Sequence, residues 1–193
     1  MYADSASVLL DSIQAPDELT DKDFAHWCML CGKVTDEAAT GLLPIYQWQR
    51  AQQWFTEHGT AEEQAQIDLY LGRAYVEDGE YDKAMQIYAD ALQLAKEHQA
   101  YNVAGYICAY MADLYGFRDI TSECLKKREE ACEFFKKAEN YKSYAYSLKD
   151  LAGEWAILDS FACTIPLLQK ADSISQLLHN KNQIGRASCR ERV

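Results

Sequence analysis

Leu71-Gly72-Arg73-Ala74-Tyr75, followed by Gly79, Tyr81, Ala84, Tyr88, Ala91 and Leu92, is the stretch on which the fold turns. Moving forward by 40 residues gives Met111-Ala112 and Tyr115, then Cys124 and Ala131; another 40 gives Leu151-Ala152 and Trp155, then Thr164, Leu168 and Ala171. Moving back by 40 gives Cys31-Gly32, then Pro44, Trp48 and Ala51. Small residues fall on small ones and bulky mostly on bulky, and a fixed period of this length marks a repeat architecture. Inside the clearest unit, Ile67, Leu71, Ala74 and Tyr75 follow the i, i+4, i+7, i+8 spacing of a helix. Asp78-Gly79-Glu80 breaks it, and Ala84, Ile87, Tyr88, Ala91 and Leu94 resume it. The unit therefore predicts an antiparallel helical hairpin. Its small residues at 72 and 84 let two backbones approach, and the aromatics at 75 and 88 fill the flanks. Gly59, Asn140 and Asn180 are expected to end helices in the left-handed conformation.

The composition agrees. Three Pro and nine Gly in 193 residues are too few for the turns of a sandwich or barrel, so an all-α protein is expected. A formal charge of -11 argues against a nucleic-acid partner, which needs clustered Lys and Arg to displace counterions. No apolar run reaches the roughly 18 residues that span a bilayer. Seven unevenly spaced Cys are too dilute for a disulfide scaffold and read as reduced thiols in a core, which points to the cytoplasm.

These repeat residues resemble the tetratricopeptide repeat (TPR) family, whose unit carries W-x2-L-G-x2-Y and then A, F and A. Residues 65–98 match best, through Leu71, Gly72, Tyr75, Ala84, Tyr88 and Ala91, while Asp68 replaces the first aromatic and Lys96 the closing Pro. The other units are degenerate: Thr35 replaces the Tyr, Pro44 and Thr164 take the small Ala position, and Arg128 stands where an aromatic belongs. The resemblance implies a right-handed superhelical solenoid of stacked antiparallel hairpins over residues 1–183. It would comprise a helix at 5–14 and then repeats at about 20–59, 60–99, 100–139 and 140–183.

The last ten residues, 184–193, look like the in-frame translation of a common sequencing adapter and are expected to be no part of the natural protein. Without them the chain holds 16 basic and 29 acidic residues, for a charge of -13. The chain then reads as a fragment, and the outer side of the helix carrying Ile165, Leu168, Ile174 and Leu178 should pack on a following repeat.

No catalytic constellation is legible. Cys28 and Cys31 form a C-x-x-C inside a predicted helix with no strand before it, at positions that Cys108 and Met111 share two units on. Packing is the main reading, and a thiol-redox enzyme is the alternative. No second ligand pair completes a zinc site, and no cofactor or metal is implied. His58 and His98 share one repeat position at the end of a second helix, a structural placement. The run Lys126-Lys127-Arg128-Glu129-Glu130 reads as a solvated face of i, i+4 ion pairs.

The resemblance implies a protein-protein interaction scaffold that takes a peptide or a partner's helix in a concave groove lined by the first helices. Carried over, the groove positions are His26, Met29 and Lys33; Gln66, Leu69 and Arg73; Tyr106, Asp113 and Phe117; and Tyr146 and Lys149. The two-carboxylate clamp of chaperone-tail TPR domains is not implied, because Tyr70, Tyr106 and Tyr110 stand where Asn, Lys and Arg are needed. Asp4-Ser5-Ala6, Leu9-Leu10-Asp11-Ser12-Ile13 before degenerate repeats also resembles Bacteroidota-type regulators. That likeness implies a fragment of a larger bacterial signalling protein, with a periplasmic location as the alternative. A structural solenoid that self-associates end to end is the third reading.

Overall fold

The computed structural model describes residues 8–10, 12–38 and 41–190, with side chains placed for all of these except 36–38 and 180–190. A 3-10 turn at Pro16–Glu18 precedes eight helices among the described residues: α1 (Asp21–Ala38), α2 (Ile45–His58), α3 (Ala61–Glu77), α4 (Tyr81–Glu97), α5 (Tyr101–Phe117), α6 (Thr121–Lys137), α7 (Tyr141–Ile157) and α8 (Phe161–Arg190). No strand occurs among the described residues, and consecutive helices pack in pairs, as the repeat predicts. Of the helix expected at 5–14, residues 5–7 and 11 lie outside the described residues, and residues 8–10 are helical.

The turns repeat every 20 residues. Gly79, Gln99, Asp119, Glu139 and Asp159 all have φ between 53° and 79°, and each precedes by two residues the first residue of the next helix. This corrects the expected helix stops. Glu139, not Asn140, takes the left-handed conformation, and Asn140 instead caps α7 by accepting a hydrogen bond from the Ser143 N–H at 3.1 Å. Gly59 is extended (φ -86°, ψ 159°), and its lack of a Cβ serves space: a Cβ there would meet the Phe55 carbonyl oxygen at 2.7 Å. At Asn180 the chain does not stop, since α8 continues to Arg190.

The chain forms two compact units, residues 1–103 and 104–193. In the first, α1, α2 and α3 enclose a core of Phe24, Trp27, Cys28, Trp48, Phe55, Ile67, Tyr70 and Leu71. Trp48 and Tyr70 lie with ring centroids 5.3 Å apart, and the Trp48 indole N–H donates to the Leu43 carbonyl at 2.9 Å. Thr60 and Glu63 close a capping box at the start of α3, and those hydrogen bonds hold the Glu63 carboxyl below its ordinary pKa. In the α3–α4 hairpin the fully buried Tyr88 ring lies flat over Gly72, so that a Cβ at 72 would overlap it. In the second unit Phe135, 2% exposed, lies in the same way over Gly105.

Gly72→Ala is a sensitive test of this packing. An exposed helix would gain about 0.5–1 kcal/mol from the change, but overlap with the Tyr88 ring should instead destabilise the fold by about 1–3 kcal/mol. Adding Tyr88→Leu should recover part of the loss. Urea titration of the three variants checks both the sign and the recovery.

Candidate functional site

Burial sorts the expected groove residues. Met29 and Leu69 are 6% and 1% exposed, so they belong to the core and not to an open surface. The reason is the close approach of α1 and α3, where the Tyr70 ring covers Gly32 and little space separates successive first helices. His26 is exposed, but its ring rests edge-on against Trp54 at 5.0 Å and its Nδ1 meets the Lys22 carbonyl at 2.7 Å. Lys33 is exposed, Gln66 is half-buried, and half-buried Arg73 holds its guanidinium 5.9 Å from the Tyr70 ring centroid.

In the second unit Tyr106 is half-buried: its ring packs edge-on to Phe135 at 4.8 Å and its hydroxyl shares a 2.8 Å hydrogen bond with Ser143. Asp113 accepts from the Arg128 guanidinium at 2.7 Å. Phe117 and Tyr146 are 71% and 57% exposed. Tyr146 and Lys149 are brought together, with the ammonium 5.5 Å from the ring centroid. Both line a cleft of about 400 Å³ between α7 and α8, with Lys142, Ala145, Ser175, Leu178 and His179. That size lies within the range of ligand sites, and three of the seven lining residues carry basic side chains.

The basic run on α6 is not the solvated face its sequence suggests. Lys126 is exposed and pairs with Glu123 at 3.9 Å, but the Lys127 and Arg128 side chains are only 12% and 13% exposed. Lys127 bonds Glu130 at 2.9 Å, and Arg128 reaches across to Asp113 and, at 3.4 Å, to Glu154. Burial opposes the guanidinium charge, but Asp113 outweighs it and holds Arg128 more firmly protonated than usual. The signal was present in the sequence as a cation at an aromatic repeat position. Its partners, on α5 and α7, are 15 and 26 residues away and could not be assigned from spacing.

Asp68, which replaces the first repeat aromatic, is a second polar side chain that the fold encloses. It accepts from the Gln52 amide at 2.6 Å. Burial, with repulsion from Asp90, pushes its pKa up to about 6 against the lowering effect of Gln52.

Among the described cysteines, Cys28, Cys108, Cys124 and Cys132 are buried, Cys31 is half-buried and Cys163 is exposed, all as free thiols. Burial, reinforced by Cys31, pushes the Cys28 thiol far up, opposite to the depressed value a nucleophilic thiolate needs. Burial and the neighbouring Glu154 raise Cys124 to about 11. No cluster of three or more potential metal ligands, and no helix long and apolar enough to cross a membrane, occurs among the described residues.

No family model and no curated protein matches the chain. Solved structures do. BtubC (BKLC) from P. vanneervenii aligns with a TM-score of 0.64 and 14% identity, over 92% of this chain and 74% of that one. The apo form of RapI aligns with a TM-score of 0.69 and 14% identity, over 90% of this chain and 63% of RapI, so the chain spans less than two thirds of that protein. At this identity the likeness is one of fold alone, an all-helical repeat.

Two outcomes follow from the titrating groups. Asp68 binds its proton more tightly in the folded state, so stability is lost as the pH rises from the ordinary aspartate value of 3.8 to about 6. Asp68→Asn should therefore raise stability at pH 7 by up to about 3 kcal/mol and change it little near pH 4; an equal effect at both would contradict the assignment. In native protein at pH 8, iodoacetamide should label Cys163 first and leave Cys28 unlabelled until denaturant is added, as peptide mass spectrometry would record.

Proposed function

We propose that this chain is a non-enzymatic protein-binding scaffold that holds a peptide or partner helix against the exposed faces of its first helices. The observation that carries this reading is the exposure of Phe117 and Tyr146 on first helices, at 71% and 57%, where Tyr70 and Tyr144 on the same set of helices are buried. Aromatic side chains with little conformational freedom are the usual anchors of interfaces, and the cation over Tyr146 adds a directional partner. The helical-repeat fold supports the reading, because stacked hairpins offer long surfaces with little else to do. Met29 and Leu69 leave the set of contact residues, since both are core.

The same reading makes the chain a module of a larger bacterial regulatory protein that works in the cytoplasm, a compartment that suits its buried, reduced thiols. The thiol-redox alternative gains no support from the Cys28 environment.

The test is affinity capture from cells of the source organism with wild-type protein and a Phe117→Ala, Tyr146→Ala double variant of matched thermal stability. Partner recovery should fall by about tenfold or more in the double variant. Undiminished recovery would remove these two side chains from the interface and the reading with them.

A further inference from the structure

Arg50, in the second turn of α2, fastens the chain that precedes α1. Its Nη1 donates to the Asp17 carbonyl and its Nη2 to the Leu19 carbonyl, each at 3.1 Å. Nε and Nη2 also both reach the Asp21 carboxylate, at 3.1 and 2.8 Å. The guanidinium carbon stands 4.1 Å from the centroid of the fully buried Phe24 ring. One planar fork therefore holds the 3-10 turn, the residue after it and the first turn of α1 together, and its flat face covers an apolar ring.

Beside this fastening, Leu10, Ile13 and Leu19 lie partly buried against the core that contains Phe24, Cys28 and Trp48. Gln47 links the same place to Cys28. Its side-chain amide donates to the Asp17 carboxylate at 3.4 Å, and its backbone carbonyl accepts from the Cys28 thiol at 3.8 Å. Burial and Cys31 dominate the raised pKa of that thiol, and the charges of Arg50 and Asp17 also act on it, with opposite signs. The fastening thus lies close to Cys28.

The contacts differ in strength. Asp21 is 72% exposed, so its pairing with Arg50 is screened by water and contributes little by itself. The three partly buried apolar side chains offset only part of the entropy lost in ordering residues 8–20. Bonds from a charged donor to the two carbonyls, made from a side chain only 32% exposed, are the contacts that tip the balance.

We propose that residues 8–20 form a strap that Arg50 latches over the first hairpin, and that the strap opens as a unit, with the remaining helices intact, to uncover the Cys28 side of α1 and α2. The device is separate from the scaffold reading: it lies in the first unit and uses neither Phe117 nor Tyr146.

Hydrogen exchange followed by mass spectrometry, and iodoacetamide labelling at pH 8, test the two halves of the proposal on the full chain. In Arg50→Ala the amides of residues 8–20 should exchange at least about tenfold faster than in the wild type, while those of α3 and α4 keep their rates. Cys28 should then be alkylated without denaturant, at least about tenfold faster than in the wild type. Arg50→Lys keeps the charge but cannot span both carbonyls and Asp21, so it should open the strap nearly as far as Arg50→Ala. Asp21→Asn should change the exchange by less than about threefold.

Equal acceleration in α3 and α4 would make the effect general unfolding and overturn the proposal, as would unchanged exchange of residues 8–20 in Arg50→Ala. Full retention of the closed strap by Arg50→Lys, or opening by Asp21→Asn as large as that by Arg50→Ala, would overturn it too, because an ion pair would then be the latch. Rapid exchange of the strap with Cys28 still protected from alkylation would show that the strap is not the cover of that thiol.

Discussion

A helix with apolar residues along one side cannot shield them alone, and in this chain the shielding depends on how closely a second backbone can come. At Gly72 the approach is close enough for the Tyr88 ring to occupy the volume a Cβ would take, and at Gly105 the Phe135 ring does the same. The ring gains dense contact with backbone that a longer side chain would have held away. The two contacts fall at different repeat positions, since Ala112 stands 40 residues after Gly72 and Ala65 stands 40 before Gly105. What recurs is the turn: the left-handed residue returns every 20 positions, even where it falls on Gln99 or Glu139 and costs conformational energy.

Where the pattern lapses, a different interaction takes over. Arg128 occupies the position that Tyr88 fills 40 residues earlier, and no ring is available there to pack against the first helix. Asp113 and Glu154 neutralise the guanidinium from α5 and α7, and the carbonyl of Ala109 lies 3.5 Å from it. Enclosing a charge costs free energy that a ring would not, and only good geometry on both sides offsets it. One consequence is that one carboxylate oxygen of Asp113 is engaged from the neighbouring helix. Another is that α7 is seated by a directional pair as well as by apolar contact, which fixes its register along α6.

Large apolar side chains divide into covered and open ones. Phe117, Tyr146 and Ile157 are open on the first helices, as Tyr46 and Phe161 are elsewhere, whereas Met29 and Leu69 are covered by a neighbouring helix. The α7–α8 cleft gathers three basic side chains, Lys142, Lys149 and His179, in an acidic chain.

Spacing along the chain determined the helical character, the pairing into hairpins and the 40-residue phase, because the first two depend on residues near one another in sequence and the third on that pattern recurring. The break at Asp78-Gly79-Glu80 and the packing role of Cys28 belong to the same class. Only the tertiary structure decided that Leu69 is core while Tyr146 is open, that Glu139 and not Asn140 carries the left-handed turn, and that the Lys127-Arg128 pair faces inward. Burial is set by which helix lies alongside, and the partners that decide it for Arg128, on α5 and α7, lie far along the chain. A charge written into a sequence carries no direction until the neighbours that can neutralise it have been folded into place.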